Sequence, residues 1–466
     1  AQCGLKYKHE TPARRQDRQR NTMTSITTTA QAGPTTREIM RVAVASIIGS
    51  VIEQYDFLVT GIIAATVWPT LFFKFHGLAA NVAGAIGIYG LGIMIRPLGA
   101  YIFGNFADRY GRKDAMVYAL LLMGFATLAI GLTPTYDMIG PVAPALLLVF
   151  RLIQGISFGA EFGTASTWVV EQAAKSKHRA FWGAWVGFAI PLGLLLGFGS
   201  VFFVRSQMSP ADYASWGWRI FFFIGFLVAI VGIIIRKRTE ESYVFAKYAS
   251  TEKKLDYPAN RVWAEMGGKI MRSSLVNAMF SGCFFLSFVY GQGYMKAVGF
   301  TPNQATEIGL SAAVFMLIFM FIGSLLADRI SRRSILLIAA CTFFVFAIPY
   351  FYLIKLHDFP LAVLAEVIGF GFVFGFGYGA IPAFYTEAFP TRYRASGASA
   401  GYQMSQIYGG GLIPIMAGLI QARVGIASAY LYIGMLVMVY AAAAIVAILT
   451  TADTTGRDLE DALDNV

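Results

Sequence analysis

From residue 41 onward the chain is a series of long apolar runs separated by short charged turns. Twelve runs are long enough to cross a hydrocarbon layer, which takes ~20 residues. They cover 41–67, 82–106, 115–135, 143–170, 180–203 and 217–236, then 273–296, 308–327, 334–354, 360–386, 394–421 and 427–450. Each predicts a transmembrane helix, so the fold class expected is an all-α polytopic membrane protein. The second, fourth, fifth, tenth and eleventh runs are rich in glycine, which lets helix backbones approach closely.

The turns repeat. Gly104-Asn-Phe-Ala-Asp108-Arg109-Tyr-Gly111-Arg112-Lys113 follows the second run, and a degenerate copy, Ala327-Asp328-Arg329-Ile-Ser331-Arg332-Arg333, follows the eighth. After the fourth run comes Glu171, with Arg179 opening the fifth. After the tenth comes Glu387, with Arg394 opening the eleventh. An acid recurring at one offset in both halves exceeds what a topological charge signal requires. The pattern predicts two pseudo-symmetric six-helix bundles, 41–236 and 273–450. A leader (1–40), a linker (237–272) and a tail (451–466) flank and join them.

Composition agrees. Of 466 residues, 57% are hydrophobic and 14% charged, against about 25% charged in soluble chains. The net charge of +11 does not point to nucleic acid, because most of the 37 Lys and Arg lie in the tails and in loops on one side of the layer. That bias places both termini in the cytoplasm. Residues 1–22 are polar and basic with no apolar core, unlike a secretory signal, and Met23, next after them, is a candidate start. Cys3, Cys283 and Cys341 suggest no disulfide.

Charges inside the apolar runs cost about 2.5–3.5 kcal/mol each on insertion scales, so each needs a reason. The first run carries Glu53 and Asp56, the second Arg96, the fourth Arg151, Gln154 and Glu161, and the tenth Glu366. Pairing that merely holds the bundle together is one reading, and it stays open for Glu53 and Glu161. Moving protons and anions is the other. None of His9, His76, His178 and His357 lies in a run, so a carboxylate must carry any proton. A buried Asp gains proton affinity from desolvation and loses it beside an Arg, so an Asp–Arg pair of variable spacing is a switch. In the second half Tyr290, Gln292, Tyr402, Gln403 and Gln406 are equally readable as packing or as substrate contacts.

The repeated turns and the six-plus-six plan resemble the major facilitator superfamily. Within it, Glu53-Gln-Tyr55-Asp56-Phe57, Arg96-Pro-Leu-Gly-Ala-Tyr-Ile-Phe-Gly104, Arg151-Leu-Ile-Gln154-Gly155 through Glu161, and Glu387 through Gly397 resemble the metabolite:proton symporter family. That family includes carriers of citrate, oxoglutarate, shikimate and proline or betaine. The resemblance implies Asp56 as the proton-coupling acid with Arg151 and Glu53. It implies Arg96 as a candidate anion site, and the residues read by themselves add Arg151, Gln154, Tyr55, Glu161, Tyr290, Tyr402 and Gln406 as candidates for the substrate site. It also implies a gate cluster of Asp108, Arg109, Arg112, Glu171 and Arg179, mirrored by Asp328, Arg332, Glu387 and Arg394. Gln54 stands where the family usually has Trp, and Ser331 replaces a motif glycine, which predicts a looser second gate.

The leading expectation is proton-coupled symport of a small organic acid across the inner membrane of a prokaryote, by a monomer, with no cofactor beyond the proton gradient. Uptake of a zwitterion such as proline or betaine is the first alternative, since aromatic rings and acids can host a quaternary ammonium. A transporter-like sensor is the second, although it usually needs an output domain longer than these tails. A membrane enzyme is the weakest, because no metal-ligand cluster or nucleotide motif is present.

Overall fold

The computed structural model describes residues 33–74, 77–251 and 254–460. The leader at 1–22, Met23, Cys3, His9 and His76 lie outside the described residues, as do the final six positions. Twelve helices long and apolar enough to cross a membrane stand where the apolar runs predict them. They are α1 (Thr36–Thr66), α2 (Ala80–Tyr110), α3 (Arg112–Leu132), α4 (Val142–Gln172), α5 (Arg179–Gln207) and α6 (Arg219–Lys237) in the first half. The second half holds α7 (Pro258–Val298), α8 (Asn303–Ala327), α9 (Arg332–Lys355), α10 (Phe359–Ala388), α11 (Thr391–Val424) and α12 (Ile426–Leu449). Between the halves lies a short helix, Tyr243–Thr251, and α7 bends at Met266, where the backbone leaves helical geometry.

The packing repeats with the sequence. Helix α2 lies against α4 in the first half, as α8 lies against α10 in the second. Across the halves, α2 and α4 meet α11 while α8 meets α5. Glycines set these distances. A Cβ on Gly99 would come within 1.9 Å of the Ile156 carbonyl, and one on Gly159 within 2.1 Å of that of Arg96. A Cβ on Gly323 would come within 2.1 Å of the Phe376 carbonyl in the equivalent α8–α10 crossing. These are backbone obstacles that cannot yield, so the helices approach only where glycine stands.

The two turns differ in their backbone. Gly111 has φ 131°, a conformation that side chains rarely adopt. Ser331 has φ −178°, extended backbone open to any residue, and its Oγ accepts from the Ser334 amide at 3.0 Å to cap α9. Replacing the glycine therefore does not loosen the second turn.

One buried cation was not foreseen. Arg236 ends an apolar run and reads in the sequence as a loop charge, yet it is fully buried. It reaches the Glu161 carboxylate through Nη2 at 2.5 Å and Nη1 at 3.3 Å, and donates to the Met116 carbonyl at 2.9 Å. Ser50 donates to the same carboxylate at 3.1 Å. Gly49 makes the room, since a Cβ there would lie 1.8 Å from the guanidinium. Helices α1, α3, α4 and α6 are thus tied at one point.

Removing one partner of a buried pair strands the other charge, at a cost of roughly 3–5 kcal/mol. Arg236→Ala should therefore lower the thermal midpoint and the yield of folded protein in detergent. Adding Glu161→Gln should recover much of both. No recovery in the double variant would remove Glu161 as the reason for burying Arg236.

Candidate functional site

The repeated spacing of acids and bases in the two turns becomes one buried network of ion pairs joining the halves, on the face where α2 meets α3 and α8 meets α9. Asp108 accepts from the amides of Ala395 at 3.0 Å and Ser396 at 2.8 Å, at the start of α11 in the other half. Asp328 accepts from Ala180 at 2.7 Å and Phe181 at 2.9 Å, at the start of α5. Each acid thus satisfies amides that a helix leaves unpaired at its start, and its charge suits the positive end of the helix dipole. Each also pairs with an arginine four residues on, Asp108 with Arg112 at 2.8 Å and Asp328 with Arg332 at 3.2 Å.

Glu171 and Glu387 complete the gate, with one reassignment. Glu171 accepts from Arg112 at 3.1 Å and from Arg394 at 2.9 Å. Glu387 accepts from Arg332 at 3.0 Å and from Arg179 at 3.1 Å. Arg179 and Arg394 have exchanged clusters relative to the sequence expectation. Each opens a helix beside its neighbouring acid along the chain, but its side chain crosses to the acid of the other half. Arg109 stays outside, exposed and 3.7 Å from Asp256.

Two elements reinforce this face. Glu241 accepts from the amides of Arg112 at 3.1 Å and Lys113 at 3.2 Å, at the start of α3. Burial pushes its carboxyl above the usual carboxylate range in spite of those donors. The segment after α12 then runs across both halves. The Arg457 carbonyl accepts from Arg179 at 2.8 Å, and the Leu459 carbonyl accepts from Thr391 at 3.1 Å. Leu459 itself is buried against Val170, Ala174 and Val244. Glu460 pairs with Lys175 at 2.7 Å and also with Lys247. Partial burial raises its carboxyl, but these lysines outweigh that and leave it below the usual carboxylate range.

Deeper in the layer, between the halves, lies a narrow cleft. It offers about 40 Å³ to the centre of a water-sized sphere, room for a few waters. Gln54, Phe57 and Arg96 line it from the first half, with Asn277, Phe284, Phe285, Tyr378, Tyr402 and Gln406 from the second. Arg96 is 7% exposed. Its guanidinium lies over the rings of Phe158 at 4.9 Å and Phe57 at 5.2 Å. Among the described residues its one ion-pair partner is Glu53, at a loose 3.7 Å, and its Nε has no hydrogen-bond partner. Facing it, the hydroxyls of Tyr378 and Tyr402 are 2.8 Å apart, and Tyr402 stacks on Phe162 of the opposite half at 3.7 Å.

Behind the first-half wall of the cleft sits Asp56. It accepts from Gln154 at 2.7 Å, Thr127 at 3.3 Å and Thr60 at 3.4 Å. Arg151 is 3.6 Å away. Arg151 donates to the side-chain amide oxygen of Gln154 and lies 4.9 Å over the ring of Tyr89. Arg96 and Arg151 share the ring of Phe158, so the anion-facing and acid-facing cations are neighbours.

Three expected residues lie elsewhere. Glu161 belongs to the Arg236 pair, because a bidentate partner at hand satisfies it better than a distant cleft. Tyr55 points away into an apolar cluster with Val59, Ile63 and Trp68. Tyr290 hydrogen-bonds Gln421 and stacks on Tyr294, far along α7 from Phe284 and Phe285. Sequence reasoning missed Asn277, Tyr378 and Thr127. Asn277 is the one asparagine of the seventh apolar run, and that was the available signal.

Comparison with known proteins fits this architecture. The Major Facilitator Superfamily model matches residues 55–410. The Shikimate transporter of Escherichia coli is 31% identical, covering 81% of this chain and 86% of that protein. The Proline/betaine transporter of the same species is 28% identical over 91% of this chain and 86% of its own. The Citrate-proton symporter of Klebsiella pneumoniae is 28% identical over 79% and 82%. Among solved structures, the proton:xylose symporter XylE of E. coli superposes with a TM-score of 0.74 at 17% identity, covering 91% of this chain and 98% of that one. It shares the fold. With a gate built from both repeats and relatives matched along most of its length, the chain is a multi-pass transporter of the major facilitator superfamily and belongs to its metabolite:proton symporter family.

Proposed function

We propose that this protein takes up a small organic acid together with a proton, by alternating access, with the gate face in the cytoplasm. The observation that carries the reading is Arg96: a guanidinium at the cleft wall, held only loosely by Glu53, with donors left for a carboxylate. A planar guanidinium gives a carboxylate two parallel hydrogen bonds. The hydroxyls of Tyr378 and Tyr402 and the amides of Asn277 and Gln406 would receive the rest of a polar metabolite. The basic loops of the gate face support the orientation.

Asp56 would carry the proton. Ionised, it holds Arg151 and Gln154 in place. Protonated, it loses its attraction for Arg151, and the freed cation joins Arg96 in facing the cleft. Proton and anion would then favour each other's binding, which symport requires.

A second reading, a zwitterionic substrate, draws on Glu53 and on the rings of Phe57, Phe284 and Phe285, which together suit an ammonium group. The Arg96 experiment separates the two. For an organic anion, found by a thermal-shift screen of carboxylates, amino acids and betaines, Arg96→Lys should weaken binding about tenfold or more, because one charge-assisted hydrogen bond is lost. Neutral and zwitterionic compounds should not compete. A stable Arg96→Ala protein with unchanged affinity would remove Arg96 from the site.

Asp56→Asn should abolish uptake driven by a pH gradient in proteoliposomes, while counterflow of bound substrate survives in part. Accumulation as strong as in the wild type would assign the proton to another group.

Asp108→Asn should shift the protein toward the state with the gate open, since its contacts exist only while the gate is closed. An effect of roughly 1–3 kcal/mol is expected. Single cysteines placed behind the gate should become labelled faster from the gate face. Unchanged labelling would reduce Asp108 to a topological signal.

A further inference from the structure

Of the seven buried carboxylates among the described residues, six face an arginine: Glu53, Asp56, Asp108, Glu161, Glu171 and Glu387. Glu366 on α10 does not. It is 1% exposed, and no Lys, Arg or His among the described residues pairs with it. Tyr350 of α9 donates to its Oε1 at 2.7 Å, and Ser287 of α7 lies 3.1 Å from that tyrosine hydroxyl. Its Oε2 has no partner. The titratable groups that face it are Tyr350 from α9 and Cys283 from α7, both neutral in ordinary form. Beside this chain of hydroxyls is a small cavity, lined by Cys283, Ser287, Tyr350 and Gly369, with about 10 Å³ for the centre of a water-sized sphere, so at most one water.

A bare carboxylate buried here, with only the Tyr350 and Ser287 hydroxyls near it and no counter-charge, is far costlier than the neutral acid. A metal cation is a poor remedy, since hard cations demand about six oxygen ligands or more and the hydroxyl chain with one water supplies fewer. The position in the chain is equally specific. Glu366 immediately precedes a wide π-type turn of α10, Val367–Phe372, and Ser287 lies in another, Leu286–Tyr290 of α7. Such turns recur at functional sites because their backbone bonds rearrange readily. Just before the α7 turn stand Phe284 and Phe285, which line the cleft.

We propose that Glu366 is a second proton-binding site, in the half opposite Asp56, that loads and unloads its proton as α7 and α10 change shape at their π turns. This goes beyond the Asp56 reading and does not depend on the class of substrate. The Tyr350–Ser287 hydroxyls, beside that small cavity, are its path for the proton.

Infrared difference spectroscopy of the full chain in lipid vesicles, titrated from about pH 5 to about pH 9, tests the site without a substrate. The wild type should show a carboxylic-acid carbonyl band that disappears reversibly with rising pH. Glu366→Gln should remove one component of that change, and Asp56→Asn should leave that component in place. Glu366→Asp, which keeps the acid on a shorter arm, should retain it at a shifted frequency and serves if the glutamine variant folds poorly. The proposal fails if Glu366→Gln and the wild type give superimposable changes, because the group is then either already ionised or permanently protonated. It also fails if exchanging choline for sodium chloride abolishes the component, which would make this a metal-cation site.

Discussion

Two carboxylates seated on helix starts in the opposite half hold this structure in its closed form. Asp108 and Asp328 each satisfy two backbone amides that have no partner within their own helix. If the halves part, acid and amides lose each other together, and both must find water. The contact is therefore close to all-or-none. The crossing of Arg179 to Glu387 and of Arg394 to Glu171 adds to this, since each acid then holds one arginine from each half. Partners exchanged in this way tie each acid to both halves at once.

Most of this was legible because lipid makes charges conspicuous. Apolar runs of sufficient length have few alternatives to helix, and a recurring Asp between them marks the junction of the halves before any geometry is known. Partner choice was less legible. Arg179 and Glu171 are close along the chain, and only three-dimensional packing sends the arginine across. Arg236 escaped notice because its run simply ends there, and a terminal cation looks like a topological signal. Glu161 was misplaced for the same reason, with its true partner hidden. Ser331 shows the converse: a missing glycine matters only where φ is positive, and φ cannot be read from residue type.

The two halves have divided their labour. The first concentrates arginines and acids on α1, α2 and α4. The second has one buried acid without an ion-pair partner among the described residues, Glu366, but it holds the wide turns of α7, α10 and α11. Electrostatic sensing and backbone compliance thus sit on opposite walls of one cleft, joined by stacked rings such as Phe162 on Tyr402. A signal felt by charge in one wall can be spent as shape in the other.

The segment after α12 has a consequence for how the protein is made. Arg457, Leu459 and Glu460 leave the ribosome after all twelve spans, yet they lie across the gate and touch both halves. During synthesis the two bundles can insert and meet, but the strap over their junction must wait. The seam is thus covered only after the twelve spans have been made, when the nascent chain lays this segment across it.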